Sequence, residues 1–303
     1  MTRFNLEARW PSLADQVTVA DALYGDDGER LVAEWLDTQL SFVADAKFAA
    51  MFSDHIILPG IASLDYAHRH LRTSRGELLG GIRFSGQDVA RPFVDVLAHS
   101  FTDLSALADT VAAEWAPFAV RFMRLQHLPG IINGDNVVLD QTIHVARYSQ
   151  MTPPDGRVRL IPLPDAGTAI AVVAARYADL VAAHPELAGN IAPQDAEEIE
   201  EWHRSGRLRG IDVDGTTVGL IAIADGEIGW ITGDEVKEEV IALDYVGHGY
   251  AASAQAAWAA HIADDRGRLL IGTIDRHNHA SRRTAERAGR PAVLENVFIR
   301  LGC

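Results

Sequence analysis

The sequence has one cysteine, little positive charge and no long apolar segment. The cysteine is the last of 303 residues, Cys303, so no disulfide can form within the chain, as is usual in a reducing compartment. No apolar run approaches the ~20 residues of a membrane helix. The first residues lack the basic start and apolar core of a secretory signal. We therefore expect a cytoplasmic protein without a membrane segment, in which Cys303 is not a nucleophile.

Positive charge is scarce throughout the chain. There are 27 Lys and Arg residues against 42 Asp and Glu residues, which gives a net charge of −15. Nucleic acid would be repelled by this charge. The charge mildly favours an amine-bearing or cationic partner, but general solubility is its simpler explanation. The only lysines are Lys47 and Lys237, and the abundance of arginine and alanine suggests a high-GC bacterial genome.

The length predicts two domains, since a domain usually has ~100–200 residues. The fractions of hydrophobic residues (48%) and charged residues (23%) are typical of a globular protein. A segment rich in turn-forming residues, 149–156, divides the chain almost in half. We predict one domain at 1–150 and a second at 157–303.

The most informative motif lies in the second half, where a predicted strand at 236–243 leads into Gly247-His248-Gly249-Tyr250-Ala251. An alanine-rich helix is predicted to follow at 251–263. A glycine-rich turn that opens a helix presents backbone N–H groups and the positive end of the helix dipole. Glycines allow the tight turn and the close approach of a ligand. The motif predicts an anion site suited to a diphosphate.

A second motif follows a predicted strand at 268–274. Asn278, Ser281 and Gly289 are spaced like the start, first turn and C-terminal cap of a helix at 278–289. Together, the loop and this helix resemble the GNAT superfamily of acyl-CoA N-acyltransferases, over roughly residues 157–301. The resemblance implies a mixed, mostly antiparallel central sheet flanked by helices, acetyl-CoA as cosubstrate and no metal.

The resemblance also implies which residues contact coenzyme A. The set comprises the end of the strand, the loop and the later helix: Ile241, Leu243, Val246, Gly247, His248, Gly249, Tyr250, Ala251, Asn278 and Ser281. Two positions depart from the family pattern. The loop begins with Val246, where relatives usually have Arg or Gln, and Ala285 stands where many relatives have a tyrosine that protonates the leaving thiolate.

Glu239 and Glu238 are the candidate catalytic residues, in that order. Amine acetylation needs a group that takes a proton from the amine, and these are the carboxylates on the strand expected to run beside the thioester. Neighbouring strand residues point to opposite faces, so only one can face the acceptor, and the pattern does not decide which. The competing interpretation is that both are structural or solvated, as most glutamates are.

The predicted order of elements suggests that the two halves share a fold. The second half predicts a strand at 158–163, helices at 166–183 and 192–205, and strands at 208–213, 217–224 and 227–232, with turns at Asp214-Gly215 and Asp225-Gly226. A last strand is predicted at 293–301. The first half predicts mostly helix at 16–50, strands at 67–72, 77–84 and 93–98, a helix at 104–116, and strands at 119–126 and 137–146. We interpret it as a degenerate GNAT-like repeat or an unrelated α+β domain.

The first half has no glycine where the phosphate loop would lie. That position holds His99-Ser100-Phe101-Thr102-Asp103, and its acidic residue disfavours a diphosphate. Coenzyme is therefore expected in the second half only.

Several polar clusters have a structural and a functional interpretation. The acids of the 192–205 helix are either a solvated face or the border of a site for a cationic acceptor: Asp195, Glu197, Glu198, Glu200 and Glu201. Two histidine pairs, an exposed-looking strand pair and a pair beside Asn278, lack metal-ligand spacing: His68 with His70, and His277 with His279.

The leading hypothesis is an acetyl-CoA-dependent N-acetyltransferase in which the amine attacks the thioester directly. The acceptor would be a small-molecule or peptide amine, and the protein a monomer or homodimer. The alternative is a non-catalytic acyl-CoA-binding regulatory module, which Val246 and Ala285 favour.

Overall fold

The chain folds into two compact units. A computed structural model describes residues 6–53, 56–185 and 190–302. Unit 1 consists of Met1–Gln141 and Leu294–Cys303, and unit 2 of Thr142–Val293. These bounds differ from the predicted 1–150 and 157–303, because the last strand belongs to unit 1 and a strand that starts in unit 1 ends in unit 2. Cys303 lies outside the described residues.

Unit 1 begins with helices and continues with strands. Its elements are α1 (Leu6–Arg9), α2 (Ala14–Tyr24), α3 (Gly28–Ser41), α4 (Ala46–Ser53), β1 (Arg69–Thr73), β2 (Gly76–Phe84), β3 (Pro92–His99), α5 (Leu104–Glu114), β4 (Phe122–His127) and the start of β5 (Val137–Arg147). The strand order is β1-β2-β3-β4, followed by the C-terminal strand β11 (Ala292–Arg300). Its core includes Leu78, Ile82, Leu107, Trp115 and Met123.

Unit 2 repeats this order with additional elements. After the end of β5 come β6 (Arg159–Ile161), α6 (Ala166–Ala183), α7 (Ala196–Arg204), β7 (Leu208–Val213), β8 (Thr216–Ile228), β9 (Ile231–Ile241), α8 (Tyr250–His261), β10 (Leu269–Asp275) and α9 (His279–Arg287). The strand order is β5-β10-β9-β8-β7-β6. In each unit one parallel pair, joined through a helix, follows an antiparallel meander: β3 with β4, and β9 with β10. The predicted fold class, a mixed, mostly antiparallel sheet flanked by helices, is confirmed.

The predicted turn at Asp225-Gly226 is wrong. Both residues lie inside β8, paired with Asp234 and Gly233 of β9. The chain turns instead at Gly229, whose φ of +61° suits glycine. The predicted strand at 227–232 therefore contains the end of β8, the turn and the start of β9. The predicted strand at 236–243 is the second part of β9, which ends at Ile241. The turn predicted at Asp214-Gly215 is present, with φ of +51° and +87°.

Helices cover both faces of the unit 2 sheet. Side chains that alternate along β8 alternate between two cores: Leu220 packs with α6 and α7, and Ile221 with α8. The same alternation places Val240 of β9 toward α6 and α7, and Ile241 toward α8. The sheet thus separates α8 from the α6–α7 pair.

Helix α6 has the length and composition of a short membrane span. It has 18 residues, a mean hydropathy of 1.4, and 11% of its residues buried. Among the described residues it is the single helix that meets this criterion. The sequence analysis did not expect a segment of this kind. Core helices of soluble proteins meet the same criterion, and Ala169 and Val173 of α6 pack into a core. The helix alone is a weak indication of a membrane.

Candidate active site

A wedge-shaped cavity opens in unit 2 where two parallel strands diverge. β9 and β10 are paired at Asp234–Leu270 and Glu235–Ile271. Beyond these pairs, residues 236–241 and 272–275 line the two sides of a cavity of about 510 Å³, called the wedge here. β9 carries a bulge at this level, since Glu238 and Val236 pair with adjacent residues of β8. A bulge bends a strand and re-aims its side chains, which helps to hold the wedge open.

The glycine-rich loop borders the wedge at the start of α8. Gly247 and Gly249 have φ of +90° and +79°, in the left-handed region that favours glycine. Gly249 is the N-cap of α8, and this position makes no side-chain capping bond to the first turn. The first N–H groups of a helix lack partners within the helix. The loop therefore presents uncapped donors and the positive helix end beside the wedge.

An arginine absent from the predicted set braces this loop. Arg157 Nη1 donates to the carbonyl oxygen of His248 (2.8 Å), and Nη2 donates to Ser253 Oγ (2.9 Å). Its guanidinium lies 5.9 Å from the centre of the Tyr250 ring. Because Arg157 is about 90 residues away in sequence, no local motif indicated this contact.

Helix α9 supplies polar and basic groups to the same cavity. Asn278 is the N-cap, with its side-chain oxygen accepting from the N–H of Ser281 (3.1 Å), and both residues line the wedge. Arg283 and Arg287 also line the wedge, four residues apart and exposed. Neither guanidinium has an ion pair or hydrogen bond with another residue in the described ranges. Both can therefore pair with a phosphate.

Glu238 points toward α6. Its Oε1 accepts hydrogen bonds from the hydroxyl of Tyr177 (3.3 Å) and from the N–H of Glu239 (3.0 Å). Its Oε2 is buried and has no partner among the described residues. Burial raises the pKa of this carboxyl to about 7. A carboxyl with this pKa can exchange a proton near neutral pH.

Glu239 points toward α8, on the other face. Its Oε2 accepts from Gln255 Nε2 (2.8 Å), and Gln255 Oε1 accepts from Arg290 Nε (3.0 Å). Burial raises the pKa of Glu239 to about 7 and lowers the pKa of Arg290 to about 10. Gln255 and Arg290 were not anticipated from the sequence. The hydrogen bonds from Arg290 to Gln255 and from Gln255 to Glu239 join residues of α8, β9 and the segment after α9, which are distant in the chain.

The structure brings most of the predicted site residues to the wedge. The lining includes both glutamates and eight predicted coenzyme contacts: Glu238, Glu239, Ile241, Val246, Gly247, Gly249, Tyr250, Ala251, Asn278 and Ser281. Leu243 and His248 are not among the lining residues. Leu243 follows the end of β9 in a short helical turn and is 61% exposed. The ring of His248 stacks on Tyr250, and its carbonyl binds Arg157.

Ala285, at the position of the tyrosine found in many relatives, is fully buried. It contributes no hydroxyl, whereas the hydroxyls of Ser281 and Thr284, three residues apart on α9, line the wedge.

The acids of α7 do not line the wedge. Asp195 caps the helix by accepting from the N–H of Glu198 (2.9 Å), and Glu201 pairs with Arg204. These acids are exposed, as in the interpretation of a solvated face.

The histidine pairs have other partners. His68 is buried, so its predicted exposure is wrong, and burial lowers its pKa to about 4. His70 contacts Glu77, while His277 and His279 contact Arg276 and Arg282. Within the described ranges, no group of three or more candidate metal ligands occurs.

Comparison with known families identifies the second unit. Residues 157–290 match the family model described as "Acetyltransferase (GNAT) domain". Unit 2 carries a GNAT domain. The matched region spans β6 to the end of α9 and contains the wedge, the loop and both glutamates. None of the curated proteins is a significant sequence match to this chain.

Solved GNAT structures cover most of the chain at low sequence identity. An acetyltransferase from the GNAT family of Colwellia psychrerythraea is 12% identical over 87% of this chain and 97% of its own, with a TM-score of 0.49. A GCN5-related N-acetyltransferase from Sphaerobacter thermophilus is 12% identical over 88% and 94%, with a TM-score of 0.43. A tandem GNAT protein from the clavulanic acid biosynthesis pathway is 13% identical over 92% and 96%, with a TM-score of 0.42.

Proposed function

We propose that unit 2 is an acetyl-CoA-dependent N-acetyltransferase that acts on a primary amine. The main support is one cavity bordered by an uncapped helix N-terminus and by a buried carboxyl with a pKa near 7. The first feature suits the coenzyme diphosphate, and the second suits proton removal from an amine. GNAT membership supports acyl transfer in general.

The coenzyme would bind along the wedge. Its diphosphate would accept hydrogen bonds from the N–H groups of the Gly247–Ala251 loop, with Arg283 and Arg287 as further charged partners. Its pantetheine arm would lie between β9 and β10, near Asn278 and Ser281. Unit 1 would hold no coenzyme.

Glu238 is the proposed base, ahead of Glu239. Both carboxyls line the wedge, and each keeps one buried oxygen without a partner among the described residues. Glu238 lies on the α6 face of the sheet, away from the phosphate loop, whereas Glu239 bonds to Gln255 on the α8 face. In the reaction the amine nitrogen attacks the thioester carbonyl carbon, the C–N bond forms and the C–S bond breaks. The amine proton passes to Glu238 directly or through water, and the leaving thiolate takes a proton. No covalent enzyme intermediate is required.

The test is thiol release from acetyl-CoA over a panel of amines, combined with calorimetric coenzyme binding to the full chain. Amine-dependent thiol release, lost in Glu238→Gln while coenzyme affinity stays normal, supports the proposal. Coenzyme binding without turnover on any amine would favour the non-catalytic module instead. The non-catalytic alternative is favoured by Ala285, which is fully buried and supplies no hydroxyl to protonate a leaving thiolate.

A further inference from the structure

A positively charged side chain lines the wedge on the side of α6. Arg176 directly precedes Tyr177, and both residues line the wedge together with Leu180. Arg176 is half-buried. It has no hydrogen bond or ion pair with any other residue in the described ranges. In a chain of net charge −15, an unpaired arginine that lines a cavity is available to pair with an anionic group of a ligand.

The location of Arg176 separates it from the coenzyme phosphates. The phosphate loop opens α8, and α8 packs on the face of the sheet opposite to α6. Arg283 and Arg287 on α9 are the wedge arginines proposed for those phosphates. Arg176 instead neighbours Tyr177, whose hydroxyl bonds to Glu238. An arginine and the proposed base thus share the α6 side of the cavity, called the acceptor side here.

The other cation on this side already has a partner. Lys237 pairs with Glu235. Leu180 and Ile191 add apolar surface to the same part of the wedge. The acceptor side therefore combines a carboxyl, one uncommitted guanidinium and an apolar wall.

From this arrangement we infer that the acceptor is a small amine that also carries an acidic group, as a free amino acid does. The amine is placed at Glu238 and the acidic group at Arg176, with any apolar side chain against Leu180 and Ile191. A guanidinium offers a planar fork of donors that matches a carboxylate or a phosphonate in two-point contact. A purely cationic acceptor would be repelled by Arg176. The inference rests on the proposed function and names its substrate class.

The test compares acceptors that differ only in the acidic group. Amino acids with apolar side chains are assayed against their carboxamides, their decarboxylated amines and their aminophosphonate analogues, by thiol release from acetyl-CoA. The carboxamide has the less basic amine, so more of it is neutral and chemistry alone would favour it. We expect kcat/KM to favour the acid over the carboxamide by about tenfold or more. The phosphonate arm shows which acidic group fits.

Two variants sharpen this comparison. Arg176→Gln is expected to reduce the acid-to-amide ratio to one or below, mainly through KM of the acid. Arg283→Gln removes the same charge from the coenzyme side and should leave that ratio unchanged. A wild-type preference for the acceptors that lack the acidic group, or an equal loss for all acceptors in Arg176→Gln, would overturn the inference.

Binding distinguishes this inference from the proposed reaction. If no acceptor is turned over, the proposed function fails, and calorimetry of the same compounds against the coenzyme-loaded protein still decides the substrate class. Amino acid binding that disappears in Arg176→Gln supports the acidic-acceptor site. Absence of binding, or binding that Arg176→Gln does not change, rules it out.

Discussion

Both units contain a pair of parallel strands that start together and then separate. In unit 1 β3 and β4 are paired at three positions, ending at Asp95–Arg124. In unit 2 β9 and β10 are paired as far as Glu235–Ile271. The gap beyond these pairs is a cavity of about 210 Å³ in unit 1 and about 510 Å³ in unit 2. The same backbone arrangement thus gives two different cavities.

The N-terminal segment accounts for the smaller cavity of unit 1. Pro11, Ser12, Ala14, Asp15 and Gln16 line it together with residues of β3 and β4. Ser12 Oγ accepts from the N–H of His99 (2.7 Å), and Asp15 Oδ2 accepts from the N–H of Leu128 (3.1 Å). These side chains take backbone donors at the ends of the two strands, where unit 2 leaves its wedge open.

The helix that follows each first strand is capped differently. The N-cap of α5 is Asp103, whose carboxylate accepts from the N–H of Ser105 (2.9 Å). The N-cap of α8 is Gly249, with no side-chain bond. A carboxylate occupies a donor and repels an anion, whereas a glycine cap leaves both the donors and the dipole for a ligand. The residues at the cap and in the gap, not the topology, therefore distinguish the two units in the donors that each could offer to a diphosphate.

Transferring the unit 1 cap to unit 2 should have the largest effect. Gly249→Asp places a carboxylate at the proposed diphosphate position. We expect coenzyme affinity to fall by about 100-fold or more, measured by calorimetry. Gly215→Asp is the matched control, because Gly215 also has a positive φ and has no atom near the position of an added Cβ. This variant should bind the coenzyme with normal affinity. Equal affinity in both variants would remove the loop from the site.

Loss of the proposed base should reduce turnover by about 100-fold. Glu238→Gln keeps the shape of the side chain and removes the proton acceptor, so kcat should fall while coenzyme affinity stays near normal. Exposed Glu227→Gln makes the same change of charge outside the wedge and serves as control. A much larger loss in Glu239→Gln than in Glu238→Gln would reverse the proposed roles.

The pH dependence should follow Glu238. Its pKa is raised to about 7, and the base must be ionised, so the rate should rise with pH up to about 7 and then approach a plateau. Because the pKa of Glu238 is higher in the folded than in the unfolded state, its contribution to stability is fully present below pH ~4.5. That contribution is lost as the pH rises through about 7, where the buried carboxyl ionises. Glu238→Gln should therefore lack the rate inflection and lose less stability between pH 5 and 8. Retention of both pH dependences would assign them to another group.

The two arginines of α9 should have a moderate effect. Arg283→Gln or Arg287→Gln should each weaken coenzyme binding by about fivefold, as expected for an exposed charge pair of ~1 kcal/mol, and the difference should shrink with added salt. Arg266→Gln removes an exposed charge of unit 2 that does not line the wedge. If it weakens binding equally, only the overall charge matters.

Opening the unit 1 gap should affect stability alone. Ser12→Ala leaves the N–H of His99 without its partner, which should lower the free energy of unfolding by about 1–2 kcal/mol in denaturant titrations. Exposed Ser41→Ala is the control, with a change near zero. Neither variant should gain a second coenzyme site, since Asp103 still caps α5. A second equivalent of bound coenzyme in Ser12→Ala would show that the segment alone blocks unit 1.

The sequence predicted those parts of the site that are local in the chain. The glycines of the 247–251 loop and the Asn278–Ser281 turn could be recognised because backbone conformation and capping impose short, fixed spacings. The elements of unit 1, including β3, α5 and β4, were also predicted closely, since their apolar patterns match a half-buried strand or helix.

Contacts between distant segments could not be predicted in this way. The contacts of Arg157 with the loop and of Arg290 with Gln255 depend on which elements become neighbours in the fold. Residue spacing in the sequence does not indicate this. The return of β11 to unit 1 likewise depends on its pairing with β4, from Glu295–His127 to Arg300–Phe122. The position of the β8–β9 turn was missed because Asp225-Gly226 has a common turn composition while Gly229 supplies the required conformation.

A crystal structure of the full chain with coenzyme A bound would show where the coenzyme lies. We expect one coenzyme per chain, with its diphosphate within hydrogen-bond distance of the N–H groups of the Gly247–Ala251 loop and its thiol arm between β9 and β10. Unit 1 should keep Ser12 and Asp15 on the N–H groups of His99 and Leu128, with no coenzyme there. A diphosphate bound beside His99–Asp103, or away from the α8 N-terminus, would show that the glycine-rich loop is not the coenzyme site.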